Sequence, residues 1–314
     1  MAIYFESEIN RRSKNEDSFC SMEFRMNHEA AVNAMAVADG MGGLSGGKLY
    51  SETAIRLWYE ALLKRVMGDA FRDCSLQQQI ETLVTFSETI PEEINRQLYK
   101  KGLDVGMKGG TTLSAAIHFW DTWIISNCGD SPVYCMDQGR LRLVSEIQNV
   151  AQRMVEEGKT QEGTLLYYQN KNRLLHYLGR REPVTAHVVR IADREAECLL
   201  MGTDGAFGSL TQKKIEEILN ICGEPQKIIK TLFEHARETG EEDNQTALFY
   251  VADRTEEKAK ARLEKDSGWD RTIYEQVFQD AAIPFGSYMK IQDDKAQSFR
   301  ERFLKKHRMG GKEK

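Results

Sequence analysis

The sequence predicts an α+β protein in which antiparallel sheets pack together with helices on the outside. Short apolar segments of about four to eight residues, rich in β-branched side chains and bounded by Gly, Asp or Asn, predict strands. Longer segments with helical spacing lie between groups of these strands and come in pairs. One helix per strand is typical of a doubly wound parallel sheet, so the paired helices favour antiparallel sheets instead.

The predicted elements follow from these patterns. The strands are predicted at 31–38, 112–117, 122–128, 132–136, 184–191, 196–201 and 246–251. The helices are predicted at 48–66, 76–98, 215–222 and 225–237. The first helix places Leu49, Thr53, Leu57 and Ala61 on one stripe, and the last begins with Pro225, which suits a first helical position.

Charge divides the chain into two regions. The 314 residues carry a net charge of -5, which does not suggest a nucleic-acid partner. Residues 254–314, however, hold 15 Lys or Arg and 11 Asp or Glu. We therefore predict a catalytic domain at 1–253 and a charged C-terminal extension at 254–314, helical or partly disordered. Its basic end suits either docking to an unknown partner or a solubilising tail.

Three features predict a cytoplasmic protein. Residues 1–10 lack the basic start and long apolar stretch of a signal peptide. No apolar run approaches the roughly 18 residues of a transmembrane helix. The six cysteines are scattered without C-x-x-C spacing, and several lie inside apolar runs, as expected for reduced, buried thiols.

The glycine-rich segment VADGMGGLSGG, residues 37–47, admits two interpretations. Asp39 is a candidate metal ligand with glycine backbone packed beside it. Alternatively, residues 43–47 match the G-x-S-x-G elbow of a serine hydrolase, with Ser45 as nucleophile and Asp204 and His235 following in the order of a triad. The residues between the predicted strand and Ser45 make this elbow too loose for the strained turn that such a nucleophile needs.

Carboxylates recur at the ends of the predicted strands. Asp39, Asp130 and Asp204 each follow a strand, Asp243 precedes the last one, and Asp17 precedes a further short apolar stretch. A single Asp-Gly pair is adequately explained as a turn. The whole set favours a metal site, because Mg²⁺ and Mn²⁺ prefer oxygen ligands and gathered carboxylates repel one another without a cation.

The motifs, in their order, resemble a known family. They are Arg12-x-x-Asn15-Glu16-Asp17, Val37-Ala38-Asp39-Gly40-Met41-Gly42-Gly43, Gly109-Gly110-Thr111-Thr112, Asn127-Cys128-Gly129-Asp130-Ser131, Gly202-Thr203-Asp204-Gly205 and Asp243-Asn244. Together they resemble the metal-dependent serine/threonine protein phosphatases, the PPM or protein phosphatase 2C-like family, in their bacterial form. The resemblance covers about residues 1–252.

The resemblance implies both a fold and a site. The fold is a four-layer αββα sandwich, and the cofactors are two Mn²⁺ or Mg²⁺ ions with a third, weaker one. By position, the ligands of the two ions are Asp17, Asp39, Asp204, Asp243 and the Gly40 carbonyl. Asp130 would hold the third ion together with Asp204, Glu16 would support metal-bound waters, and Arg12 would bind the substrate phosphate.

The implied activity is hydrolysis of phosphoserine and phosphothreonine in proteins by a hydroxide that bridges the two ions, reversing a serine/threonine kinase. Arg12, Asp39 and Asp204 are the implied catalytic residues. The alternative from the same fold is a binding module without turnover, which the presence of every expected acid disfavours. The serine hydrolase that uses Ser45 is the less favoured alternative.

The chain departs from the family pattern at three places. No histidine follows the Asp39-Gly40 pair, so we hypothesise that a metal-bound water protonates the leaving group. The Ser-Asp-x-Gly lead-in common before the family's arginine is absent, which leaves Arg11 as a neighbouring candidate for the role of Arg12. The segment 145–179 resembles the variable flap of bacterial members, which is expected to shape substrate choice, but the histidine often seen at the flap's start is absent.

Overall fold

The computed structural model describes residues 2–26, 30–42, 46–221, 223–252 and, for the backbone alone, 273–276. Ser45, on which the serine hydrolase alternative depends, lies outside these residues. Most of the predicted extension at 254–314 also lies outside them.

The strands are named in chain order. They are β1 (Ala2–Glu8), β2 (Ser18–Arg25), β3 (Ala31–Ala38), β4 (Gly40–Met41), β5 (Gly110–Thr111), β6 (Leu113–Phe119), β7 (Thr122–Cys128), β8 (Val133–Asp137), β9 (Arg140–Leu143), β10 (His187–Ala192), β11 (Cys198–Gly202), β12 (Gln245–Val251) and β13 (Ile273–Gln276).

The helices are named in the same way. They are α1 (Gly46–Met67), α2 (Asp69–Arg72), α3 (Leu76–Val105), α4 (Val150–Glu156), α5 (Leu165–Tyr168), α6 (Asp204–Phe207), α7 (Gln212–Ile221) and α8 (Pro225–Glu238), with a 3₁₀ turn at Asp193–Glu195.

In the described part of the chain, the strands form two large antiparallel sheets and one short ladder between β4 and β5. The five-stranded sheet has the order β1-β12-β11-β8-β9, and the six-stranded sheet has the order β10-β7-β6-β3-β2-β13. Aromatic side chains from the two sheets meet between them. The rings of Trp123 and Tyr250 have centroids 4.7 Å apart, and those of Phe5 and Phe19 are 5.5 Å apart. The sheets therefore pack face to face around an apolar core.

Helices cover the outer faces of this sandwich. Helices α1 and α3 pack on the six-stranded sheet, whereas α7 and α8 pack on the five-stranded one. Ile229, Leu232 and Phe233 of α8 join Leu200 and Phe249 in one buried cluster under that second pair of helices. The predicted four-layer αββα arrangement is thereby confirmed.

Helix α3 is longer than its apolar pattern predicts, ending at Val105 and not at residue 98. It begins with a capping box, in which Ser75 and Gln78 satisfy each other's backbone N–H groups, and it ends at Gly106 with φ 65°. The added turns pass through Gly102, where a Cβ would overlap the hydroxyl of Tyr50. Close packing of α1 against α3 explains a glycine that otherwise weakens a helix.

The strand predictions omit β1 and β9 and the two-residue strands β4 and β5, and the sequence marks β2 only as a short apolar stretch. All residues of β1 except the exposed Ala2 are half-buried, so the strand contains no continuous apolar run. Strand β9 buries only Leu141. The predicted helix at 215–222 begins at Gln212, three residues earlier than expected.

Among the cysteines that the structure describes, Cys74, Cys128, Cys135 and Cys198 are free thiols. Within the described ranges, the helices are too short or too polar to cross a membrane.

Candidate metal centre

Strand pairing brings three of the predicted acids to one end of the six-stranded sheet. Ser18 at the start of β2 pairs with Ala38 at the end of β3, so Asp17 and Asp39 lie side by side in the fold. The end of β7 pairs with the start of β6, which adjoins the end of β3, and this places Asp130 at the same end.

The five-stranded sheet brings the other acids to the corresponding end. Gly202 at the end of β11 pairs with Ala247 near the start of β12, so Asp204 follows one strand close to where Asp243 precedes its neighbour. Glu8 at the end of β1 pairs with Gln245. The loop that carries Arg12 and Glu16 therefore starts at this end as well.

Burial makes this cluster electrostatically unfavourable. Asp17 and Asp130 are only 2% and 7% exposed, while Asp39 and Asp204 are partly exposed. Desolvation raises the pKa of Asp17 to about 7 and that of Asp130 to about 8. It also raises the pKa of Asp39 and of Asp204, and in each case the charges of neighbouring carboxylates add to the effect.

Two threonine motifs fix the acids in place. The Thr203 hydroxyl donates a hydrogen bond to Oδ2 of Asp17 over 2.9 Å, from the end of one sheet to the start of a strand in the other. The backbone N–H of Asp39 donates to Thr112 Oγ1 over 2.9 Å, and the Asp39 carbonyl accepts from the Thr111 hydroxyl over 2.8 Å. The Gly-Gly-Thr-Thr segment thus holds the backbone of Asp39.

Glycines let the backbone of β4 approach the start of α1. A Cβ at Gly47 would lie 2.7 Å from the Gly40 carbonyl oxygen and 2.8 Å from Cδ of Glu16. A Cβ at Gly40 would in turn overlap the Gly47 carbonyl. The Gly40 carbonyl, a predicted metal ligand, is therefore held in a space that admits no side chain at either position.

Arg12 reaches the cluster, whereas its neighbour Arg11 does not. Nη2 of Arg12 lies 2.7 Å from Oδ2 of Asp243, and the guanidinium lines a cavity of about 480 Å³ together with Asp39 and Gly40. Arg11 forms a 3.1 Å ion pair with Glu242, in which both side chains are about two-thirds exposed. Between the two candidates, the geometry favours Arg12.

Two asparagines to which the sequence analysis assigned no role connect the loops of the site. Asn244 accepts the Glu16 N–H over 2.8 Å and donates to the carbonyls of Ile9 and Lys14 over 2.9 Å each. Asn10, with φ 52°, donates to the carbonyls of Glu241 and Asp243 over 2.9 Å each. Asn10 adopts a left-handed backbone conformation, which asparagine tolerates better than most residues.

The predicted flap at 145–179 contains α4 and α5 and returns to the core at both ends. Backbone bridges pair Asn149 with Leu174 and Thr111 with Leu178. The Asn149 amide also faces Oδ2 of Asp130 at 3.4 Å. Lys171 of the flap lies 3.8 Å from Oε2 of Glu241, in the loop before Asp243. The flap therefore adjoins the acid cluster.

The donor chemistry of the cluster fits hard divalent cations. Its groups are carboxylate and carbonyl oxygens, and the buried acids disfavour one another's ionisation. As the side chains stand in the described part of the chain, no three His, Cys, Asp or Glu residues form a group that could hold a metal ion. The guanidinium of Arg12 places a positive charge beside Asp243 in the cluster.

Comparisons with known proteins agree on one class. A family model described as protein phosphatase 2C matches residues 6–248. The serine/threonine phosphatase Stp of Listeria monocytogenes serotype 4b is 28% identical over 248 residues, which cover 78% of this chain and 93% of the relative. A putative protein phosphatase 2C-type from Streptococcus pyogenes is 24% identical over 70% of this chain and 84% of its own length.

Solved structures give the same result. The S. agalactiae serine/threonine phosphatase superposes with a TM-score of 0.66 at 25% identity, covering 80% of this chain and 99% of that one. The fold of Stp1 from Staphylococcus aureus also matches, with a TM-score of 0.69 at 20% identity over 80% of this chain and 94% of that one. The fold and the relatives thus define a protein serine/threonine phosphatase of the bacterial type, as the sequence predicted. The chain belongs to the protein phosphatase 2C family.

Proposed function

We propose that this chain hydrolyses phosphoserine and phosphothreonine in phosphoproteins with the help of Mn²⁺ or Mg²⁺ ions held by the acid cluster. The observation that carries the proposal is the convergence of Asp17, Asp39, Asp204 and Asp243 from both sheets at one end of the sandwich, with Arg12 paired to the cluster. Such a cluster becomes favourable only when cations neutralise it.

Each predicted ligand has a place in this proposal. Asp17, Asp39, Asp204, Asp243 and the Gly40 carbonyl would hold two ions, and Asp130 with Asp204 would hold a third, weaker one. Glu16, beside Gly47, would hold water next to the ions. When bound, such a pair of ions lowers the pKa of a water molecule between them and neutralises the charge of the phosphate.

Side chains of the protein bind the substrate phosphate and orient the metal ligands. The planar guanidinium of Arg12 is suited to bind two phosphate oxygens, exchanging its present pair with Asp243 for the substrate. Thr203 and Thr112 hold the aspartates in fixed orientations, so that little reorganisation accompanies the reaction. The hydrogen bonds from Asn244 to the carbonyls of Ile9 and Lys14 hold the loop of Arg12 beside Asp243.

The partners follow from the reaction. A phosphoserine or phosphothreonine substrate must first be made by a serine/threonine kinase, which we propose as the opposing enzyme. The net charge of -5 supports a protein substrate over nucleic acid. The buried, free thiols of Cys128 and Cys198, whose pKa burial raises to about 12, support a reducing cytoplasmic location.

The test is hydrolysis of phosphoserine, phosphothreonine and phosphotyrosine peptides by the purified chain, with Mn²⁺, with Mg²⁺ and with EDTA. We expect metal-dependent release of phosphate from the first two peptides and loss of activity in Asp204→Asn. The matched control is Asp137→Asn, which removes a carboxylate from the opposite end of β8. Activity that resists EDTA, or that survives in Asp204→Asn, would refute the proposal.

A further inference from the structure

A second cavity lies beside the acid cluster, under the flap. It has a volume of about 210 Å³, and its lining includes Asp130 and Asp204 from the sandwich and Tyr167 and Lys171 from the flap. These two aspartates are the proposed ligands of the third, weaker ion. A flap ammonium group therefore shares the cavity in which that ion would sit.

Contacts hold Lys171 at this place. Its side chain is 22% exposed, and Nζ lies 3.8 Å from Oε2 of Glu241, whose side chain is 14% exposed. Glu241 is itself fixed, because its Oε1 accepts the backbone N–H groups of Glu242 and Asp243 over 3.0 and 3.2 Å. Lys171 is thus paired to the base of the loop that carries Asp243.

The positive charge of Lys171 acts on both aspartates of the cavity. Lys171 lines the same cavity as Asp130 and Asp204, so its ammonium charge offsets the repulsion between their carboxylates. A divalent ion between Asp130 and Asp204 would supply the same stabilisation with twice the charge. Two cations in one small, partly desolvated cavity repel each other strongly.

We propose that the ammonium group of Lys171 occupies the place of the third ion. The ion binds only when Lys171 and the flap segment that carries it leave the cavity. This inference rests on the proposed metal sites. It assigns Lys171 as a positioning residue: the flap is held against the sandwich at low metal concentration and released at high metal concentration.

The first test counts Mn²⁺ ions bound to the full chain, by electron paramagnetic resonance of the free ion. In Lys171→Gln we expect the weak site to tighten by about tenfold, since the competing charge is gone, while the two tight sites keep their affinity. Lys171→Arg keeps the charge and should keep the weak affinity. Asp130→Asn should abolish the weak site in either background.

The matched control is Lys159→Gln, because Lys159 lies on the same flap but pairs with Glu157 on the exposed surface. It should leave all sites unchanged. Equal affinity of the weak site in the wild type and Lys171→Gln would overturn the inference, as would the absence of a third ion from both. Loss of the two tight sites from the wild type would instead count against the proposed function.

The second test is hydrogen exchange of the flap backbone at 165–179. In EDTA, Lys171→Gln should exchange faster than the wild type, because the pair with Glu241 is lost. In the wild type, Mn²⁺ at the concentration that fills the weak site should speed exchange in the same segment. Exchange that slows on filling this site would overturn the proposed release of the flap.

Discussion

Thr203 and Asp17 join the two sheets at the candidate metal centre. The hydroxyl of Thr203, which follows β11, donates over 2.9 Å to Oδ2 of the aspartate that precedes β2, and it also accepts the backbone N–H of Thr246 over 3.2 Å. One fully buried side chain therefore fixes a predicted ligand from the other sheet. The alignment of the acids depends on how the two sheets pack.

Replacement of Thr203 by valine should weaken metal binding and destabilise the fold. Valine has the shape of threonine but leaves the buried Asp17 carboxylate and the Thr246 N–H without this partner, at a cost of about 1–3 kcal/mol. We expect a lower melting temperature and a higher Mn²⁺ concentration for half-maximal activity. Thr203→Ser keeps the hydroxyl and should remain close to the wild type. A metal requirement unchanged in Thr203→Val would contradict this role.

Arg12→Ala should impair turnover, whereas Arg11→Ala should not. Loss of charged hydrogen bonds to the phosphate costs about 2–3 kcal/mol, or roughly a hundredfold in kcat/KM. Arg11 forms only an exposed pair with Glu242, so its removal should change kcat/KM by less than about threefold. The measurement is steady-state hydrolysis of a phosphothreonine peptide. Equal losses of kcat/KM in Arg12→Ala and Arg11→Ala would contradict the choice of Arg12 over Arg11 as the phosphate-binding residue.

Gly40→Ala should disrupt the site through packing. The new methyl group would overlap the Gly47 carbonyl, so β4 or the start of α1 must move, with a loss of about 2 kcal/mol or more. We expect a lowered melting temperature together with weaker Mn²⁺ binding by calorimetry. Gly68→Ala is the control, because its Cβ would meet its nearest neighbour at an ordinary 3.4 Å. Unchanged Mn²⁺ binding and melting temperature in Gly40→Ala would contradict the tight packing of β4 against the start of α1.

The metal-free protein should lose stability as the pH rises from about 4 to about 8. The pKa of Asp17, about 7, and that of Asp130, about 8, lie above the ordinary value of 3.8. Between about pH 4 and about pH 8 the folded state binds more protons than the unfolded state. The free energy of unfolding therefore falls with rising pH in this range and levels off above pH 8.

Melting temperatures in EDTA at pH 5, 6.5 and 8 test this pH dependence. They should fall across the series, and Asp130→Asn should reduce the slope. Saturating Mn²⁺ should reduce it too, since bound cations favour the ionised carboxylates. A melting temperature in EDTA that rises with pH between 5 and 8 would contradict the effect of burial on these acids.

Much of the fold follows from buried apolar runs. The predicted bounds of β3 and β7 coincide with the observed ones, because nearly every residue of these central strands is buried. Strand β1 was missed because half-burial at the edge of its sheet leaves no such run. The end of α3 was missed because Gly102 interrupts its pattern, while the reason for that glycine lies in Tyr50, distant in sequence.

Some residues of the candidate site could be predicted from the sequence, and others could not. The aspartates at strand ends were predicted, since carboxylates beside glycine form a local pattern. Lys171 and Glu241 were not, because their pairing depends on how the flap folds back over a distance of 70 residues. Thr203 and Asn244 lie inside the family's sequence motifs, but only the structure gives their hydrogen-bond partners.

The pairing of β1 with β12 also sets when the site is completed during synthesis. Ala2 pairs with Val251, and the carboxylates range from Asp17 to Asp243 in the sequence. A ribosome makes the chain from its first residue onward and releases segments in that order. The segment up to residue 243 must therefore be made before the last carboxylate exists. A nascent chain that ends before Asp243 lacks one of the proposed metal ligands, so the site is complete only after the segment that leads into β12 has been made.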